Sequence, residues 1–221
     1  MKYGMLIDLA KCVGCDACSV ACKIENSTAC NIWWAPVLQK EIGIYPKAGL
    51  AFMPTLCMHC EDPPCVKSCP SKAIKQRDDG IVIIDEEKCC GSASCVSACP
   101  YNAITIWKKE DVPIYGNGHG TPTNPIEKRA LEKHRIGAAQ KCTFNVERID
   151  LAKEKGLKPG IDREATPACV LACPVECRIF GDLEDDNSPP SKYLEEAKKT
   201  GRTVFAPLPR ANTRPKVAYL E

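Results

Sequence analysis

Apolar residues in this chain come in short bursts separated by turn-forming polar residues, and none approaches the roughly 20 needed to cross a bilayer. The stretch "AIKQRDDGIVIID" reads as two short strands around Asp79 and Gly80, which predicts a hairpin. "AITIW" and "CRIFGDL" read as single exit strands. In "NPIEKRALEKHRIG" the pattern becomes helical, with Asn124 as N-cap, Pro125 at the first helical position, Glu127 as the capping-box acid and Gly137 as the stop. A second helix is predicted between Ser191 and Gly201. The proline-rich "APLPRANTRPKVAYLE" predicts an extended segment ending in a short strand.

Composition changes what such elements can do alone. The chain has 221 residues with 44% hydrophobic content, enough for one sizeable domain or two small pseudo-repeats, but 6% aromatic is thin for a conventional core. Its 17 cysteines point to a disulfide scaffold or to metal. "MKYGMLIDLAKC" lacks the apolar region and cleavage site of a secretory signal, so disulfides are not expected and metal is favoured. A net charge of +2, with lysines scattered among acids, argues against a nucleic-acid partner.

The cysteines form a fourfold repeat: "CVGCDACSVACK" from Cys12, "CMHCEDPPCVKSCPSKAI" from Cys57, "CCGSASCVSACPYNAI" from Cys89, and a split fourth, "CTFN" from Cys142 with "CVLACPVECRI" from Cys169. Irregular spacing makes this a duplicated cluster-binding unit rather than a solenoid. The run C-x2-C-x2-C-x3-C-P is an iron–sulfur pattern in which the first three cysteines hold one cluster and the fourth reaches a second. On a helix, positions i and i+4 share a face one turn apart, so Cys65 and Cys69, or Cys95 and Cys99, can serve two clusters. Zinc is the rival, but zinc ribbons pair two close ligands with two distant ones, and Cys12, Cys15 and Cys18 arrive as a triple. His59, His119 and His134 read as surface or outer-shell residues, with His59 placed to hydrogen-bond a cluster sulfur. "GNGHG" at Gly116 lacks the Lys-Ser/Thr of a phosphate loop. No nucleophile–base pair or carboxylate dyad stands out, so the chain reads as a conductor that needs a catalytic partner.

The segments "MLIDLAKCVGCDACSVACKIEN", "PTLCMHCEDPPCVKSCPSKAI", "DEEKC", "ACPYNAI", "KCTF" with Arg148 beyond it, and "PACVLACP" followed by "FGDL" resemble the four-cluster electron-transfer subunit of the DMSO reductase family of molybdenum/tungsten enzymes. The resemblance covers most of residues 1–183 and is weaker over 108–140 and the C-terminus. It implies an α+β fold of two duplicated ferredoxin-like modules: 1–56 with 142–183, and 57–107. An inserted surface helix would fall in 108–141, and a helix with a partner-binding arm in 184–221. By resemblance, Cys12, Cys15, Cys18 and Cys173 would hold one [4Fe–4S] cluster, and Cys57, Cys60, Cys65 and Cys99 another. Cys142, Cys169 and Cys22 would hold a third with Asn145 at the missing position, and Cys89, Cys95 and Cys69 a fourth with Ser92 there.

This frame leaves Cys30, Cys90 and Cys177 over, against two vacancies at equivalent places. By resemblance a vacancy suggests [3Fe–4S], or a fourth iron held by the Ser92 oxygen or a displaced Cys90. The spacing Cys90-x4-Cys95-x3-Cys99 copies Cys60-x4-Cys65-x3-Cys69, so Cys90 stands as substitute ligand or bystander, while Cys30 and Cys177 read as small buried thiols. The implied function is electron transfer between a molybdenum or tungsten pterin subunit and a membrane quinone-linked or soluble carrier. The C-terminal arm is expected to lie along the catalytic partner rather than over this chain's own clusters. The compartment is periplasmic, by co-export with a partner bearing a twin-arginine signal, or cytoplasmic. The alternative is a stand-alone polyferredoxin or assembly protein with structural clusters.

Overall fold

The computed structural model describes residues 1–29, 31–108 and 125–221. The first half contains β1 (Tyr3–Asp8), α1 (Ala17–Asn26), β2 (Val37–Ile42), β3 (Gly49–Pro54), α2 (Pro64–Ser68), β4 (Ile74–Gln76), β5 (Val82–Ile84), α3 (Ser94–Ala98) and β6 (Thr105–Ile106). The second contains α4 (Pro125–Lys133), β7 (Ala139–Gln140), α5 (Val146–Lys155), α6 (Ala168–Leu171), β8 (Arg178–Asp182), α7 (Pro189–Lys199), β9 (Val204–Phe205) and β10 (Val217–Leu220).

The largest sheet has the order β8-β1-β10-β9. All six residues of β1 are buried, as a mid-sheet strand covered on both faces requires. Alternation along the strand sends Tyr3, Met5 and Ile7 into the main core with the cysteines, and Leu6 into a smaller one with Ala197 of α7 and Leu220. β1 runs antiparallel to β8, Met5 opposite Phe180, and parallel to β10, Met5 opposite Val217. The sheet thus stands between α7 and the cysteine loops.

Helix length in the cysteine runs follows from one residue. Proline succeeds Cys69, Cys99 and Cys173, and X-Pro geometry pushes the preceding residue out of the helical region. Cys69 and Cys99 accordingly sit at ψ 110° and 111°, ending α2 and α3 after five residues each. Lys23 follows Cys22 instead, and α1 continues to Asn26.

The expected hairpin is present as β4 and β5, closed by Arg77 N–H to the Ile81 carbonyl at 2.8 Å, with Gly80 at φ 79°. "AITIW" supplies β6, paired with β7, and "CRIFGDL" supplies β8. The C-terminal helix starts earlier than the sequence suggests, because Ser188 caps it by accepting from Ser191 N–H and Pro189 takes the first turn. α4 is a mostly exposed helix with Glu127 in its first turn; Gly137 lies four residues past its end, and the expected cap Asn124 is outside the described residues. The β2–β3 hairpin, exposed over most of its length, is an element that the sequence pattern does not predict.

The C-terminus corrects an expectation. β10 is inserted between β1 and β9, with Val217, Tyr219 and Leu220 fully buried. Ahead of it, Lys216 N–H donates to the Met58 carbonyl at 2.9 Å, and the Arg214 and Thr213 carbonyls accept from Glu61 and Asp62 N–H. The segment therefore covers this chain's own second cysteine run. Burial of apolar side chains, each contributing about 2 kcal/mol, outweighs the freedom of a detached arm.

Candidate metal centres

The four runs share a backbone turn. The residue before the second ligand position has positive φ in each: Gly14 at 68°, His59 at 42°, Gly91 at 70° and Phe144 at 55°. Glycine takes this conformation freely. At Gly14 a Cβ would also lie 2.2 Å from the Phe52 ring of β3, so the first run could not carry another residue without moving that hairpin. His59 and Phe144 accept the strain with their rings stacked on each other, centroids 3.9 Å apart.

The stacking holds the His59 ring in place. Its Nδ1 accepts from Val82 N–H at 3.0 Å, its ring lies on Phe144, and Nε2 makes no hydrogen bond. Burial first, then the nearby Lys141 and Lys216, hold the imidazole well below its ordinary pKa, so it is neutral with its proton on Nε2. His134 is buried and bonded to Glu86 through Nδ1 and to the Asn26 carbonyl through Nε2, both at 2.7 Å. His119 lies outside the described residues, as do "GNGHG" and Cys30.

All sixteen described cysteines are free thiols. Cys57, Cys60 and Cys65 of the second run and Cys99 of the third line one cavity, walled also by Val82 and Tyr101. Burial first, then Cys57, pushes the Cys65 thiol up to about 12, with Cys99 and Cys60 adding smaller effects and Lys141 opposing. Cys95 is likewise raised by burial, then by Cys89 and Cys69. The Cys89 sulfur accepts from Ala139 N–H at 3.4 Å. Cys69 lies at the end of α2; burial opposes ionisation there, but the Ser71 hydroxyl and the Ile74, Ala73 and Ser71 N–H groups lower its pKa.

Cys22, Cys142 and Cys169 form a third, fully buried group. Burial raises Cys142 to about 12, with Cys169 adding, and raises Cys22, with Cys142 and Cys169 adding. Phe144 N–H donates to the Cys142 sulfur at 3.4 Å, and Asn26 Nδ2 to the Cys22 sulfur at 3.5 Å. The fourth group is looser. Cys12 and Cys173 both act on Cys177, Cys18 lies beside Arg178, and Cys15 is exposed. Cys177, unassigned in the sequence, donates its N–H to the Cys173 sulfur at 3.3 Å, with the two sulfurs 3.5 Å apart.

The donor set fits clusters better than a single ion. Among the described residues no three His, Cys, Asp or Glu side chains are placed to hold one metal ion. The four sulfurs of the second group instead wall a space, and sulfurs in three groups accept backbone N–H bonds, the outer-shell pattern that tunes cluster potentials.

Comparison with known proteins agrees. A 4Fe-4S dicluster domain matches residues 48–113. The chain is 40% identical over 209 residues to the dimethyl sulfoxide reductase iron–sulfur subunit assigned in Halobacterium salinarum, covering 88% of this chain and 71% of that protein. It is 35% identical over 243 residues to the arsenate respiratory reductase iron–sulfur subunit of Shewanella sp. strain ANA-3, covering 100% and 96%. The menaquinone reductase iron–sulfur cluster-binding subunit of Nitratidesulfovibrio vulgaris is 34% identical over 238 residues, covering 100% and 89%. The chain belongs to this family of iron–sulfur electron-transfer subunits.

Within the chain the two non-cysteine positions are not alike. Asn145, at φ 54°, accepts from Ala168 N–H through Oδ1 at 3.1 Å and donates through Nδ2 to Asn26 Oδ1 at 3.2 Å. Both ends of its amide are committed to tying the start of α6 to α1. Ser92 is exposed, its hydroxyl 3.2 Å from that of Ser94. Beside it the Ser92 N–H, the Ser92 hydroxyl and the Ser71 hydroxyl hold the exposed Cys90 thiol below its ordinary pKa. Ser71 also contacts the Cys69 sulfur at 3.7 Å, so Cys90 and Cys69 share a neighbour.

Proposed function

We propose that this protein holds iron–sulfur clusters at four sites and passes electrons along them between a molybdenum or tungsten pterin catalytic subunit and a quinone-linked or soluble partner. The observation that carries the reading is the cavity walled by Cys57, Cys60 and Cys65 from one run and Cys99 from the next, since four thiols from two runs around one space are the donor set of a cubane. Bound clusters supply reversible one-electron exchange. The chain supplies thiolates, excludes water from the buried ones and aims N–H groups at sulfur. Buried thiols with raised pKa values are poor anions alone, and binding metal would release their protons.

The ligand sets proposed are Cys12, Cys15, Cys18 and Cys173; Cys57, Cys60, Cys65 and Cys99; Cys22, Cys142 and Cys169; and Cys69, Cys89 and Cys95. Two pseudo-symmetric modules, the first run with the fourth and the second with the third, are supported by the packing of α1 on α6 and α2 on α3. The two incomplete sets are proposed to differ. The Asn145 amide is fully engaged, which suits three thiolates and a [3Fe–4S] cluster. Cys90 is exposed and beside Ser92 and Ser71, which suits it as the fourth thiolate of a [4Fe–4S] cluster in the third run.

Iron and sulfide quantitation with redox-titrated EPR tests the cluster sites, and co-purification tests the partner. Isolation from the native source without a molybdenum- or tungsten-containing large subunit, yet with full clusters, would favour the stand-alone polyferredoxin. The chain carries no helix long and apolar enough to span a membrane among the described residues, and a quinone-linked partner is supported by the menaquinone reductase relative. Deleting the partner's signal and fractionating cells separates an exported passenger from a cytoplasmic subunit.

A further inference from the structure

Arg178 opens β8 opposite Ile7 of β1, and only 2% of it is exposed. A guanidinium so placed needs anionic company, because removing an ion from water costs several kcal/mol even after relaxation. Among the described residues no carboxylate pairs with it. Its Nη1 contacts the Met5 sulfur at 3.9 Å, while Nε and Nη2 are buried without a hydrogen-bond partner. Glu176 lines the same cavity but is exposed and forms no ion pair with it.

What surrounds Arg178 is sulfur. β8 packs on α6, which carries Cys169; α6 packs on α1, which carries Cys18; and Cys173 lines the cavity that Arg178 lines. Cys169 and Cys18 are the thiols whose charge acts most strongly on it. On the ligand sets proposed above, on which this inference rests, those two cysteines hold different clusters.

We propose that Arg178 is a positioning cation shared by two neighbouring clusters, its unpaired Nε–H and Nη2–H facing their cysteine sulfurs and raising both reduction potentials together. Each cluster with its thiolates is anionic and gains one negative charge on reduction, so a fixed positive charge beside both favours both reduced states. The planar fork can give one N–H edge to each acceptor, which a lysine ammonium cannot match. Burial excludes a role in binding a soluble substrate.

The test is a redox titration followed by EPR, with iron quantitation, on Arg178→Gln and Arg178→Lys in the full chain within its complex. At wild-type iron content, two clusters of the glutamine variant should show at least a tenfold fall in reduced-to-oxidised ratio at fixed potential, about 59 mV for one electron. The other clusters should not move, and the lysine variant should shift the same two by less. Wild-type potentials in both variants, or equal shifts at every cluster, would overturn the proposal. If the glutamine variant loses iron, the lysine variant decides: full iron with two moved potentials upholds the shared cation, whereas unmoved potentials, or iron lost there too, reduce Arg178 to a structural role. The ligand assignment fails separately, if Cys18→Ser and Cys169→Ser disturb the same cluster in the wild-type background.

Discussion

At the residue scale, Asn145 and Ser92 stand at equivalent positions of two runs, yet their neighbours commit them differently. Asn145→Cys should add a thiolate and convert a three-iron EPR signal to a cubane, while the lost bonds to Ala168 and Asn26 cost about 1–3 kcal/mol and lower the melting temperature. An unchanged signal at full iron would refute the three-thiolate reading. Cys90→Ala should alter the third-run cluster alone; spectra identical to wild type would make Cys90 a bystander. Both positions were visible from sequence spacing. Their difference was not, because it depends on Asn26 and Ser71, which only folding brings beside them.

At the element scale, the helix stops were legible and the C-terminal strand's place was not. Proline after a cysteine acts locally, and α2 and α3 end where it predicts. A short apolar strand can pair with any exposed edge, and "KVAYLE" does not say which. Because β10 lies between β1 and β9, ending the chain at Asn212 should remove the parallel neighbour of β1 and the cover of the second run. The truncated chain should hold markedly less iron and lose sheet signal in circular dichroism; full iron content would show the strand dispensable. Asp8, at the end of β1, ties the same region together: Arg202 binds both its oxygens at 2.6 Å and Tyr193 donates to it at 2.5 Å. The Arg202 bond above all, against the opposing effect of burial, lowers its pKa to about 2. The unfolded chain, titrating near 3.9, takes up the proton first as pH falls. The group therefore contributes about 2 kcal/mol above roughly pH 4, lost between pH 4 and 2. Asp8→Asn should lower stability by about that amount at pH 7, with a difference from wild type that stays constant down to pH 4 in denaturant unfolding.

At the scale of the whole molecule, metal binding and folding are one problem. Nine of the buried core side chains are cysteines; six of them pack among Met5, Ile7, Phe144 and Phe180 in the main core, and Cys65 and Cys95 lie in a second cluster with Ile74 and Val82. A thiol packs only as a small hydrophobe, and a core that relies on so many small side chains gains less from burial than one built of larger apolar ones. Stripping iron with a chelator should therefore abolish cooperative thermal unfolding rather than merely lower its midpoint. A sharp transition persisting in the iron-free chain would show that the sheet and α7 suffice.

The sequence by itself determined that this protein carries the cysteine runs of an iron–sulfur subunit, because ligand spacing and the proline after Cys69, Cys99 and Cys173 are local constraints that survive any packing. It also determined the family, since those runs and their flanks together resemble one kind of subunit. Only the tertiary structure decided that the C-terminus closes the sheet, that His59 stacks on Phe144, and that Arg178 lies unpaired between the cysteines of two runs. Each of these depends on residues more than eighty positions apart meeting in a crowded interior, where burial and the lack of other partners select among contacts that the local pattern leaves equally open.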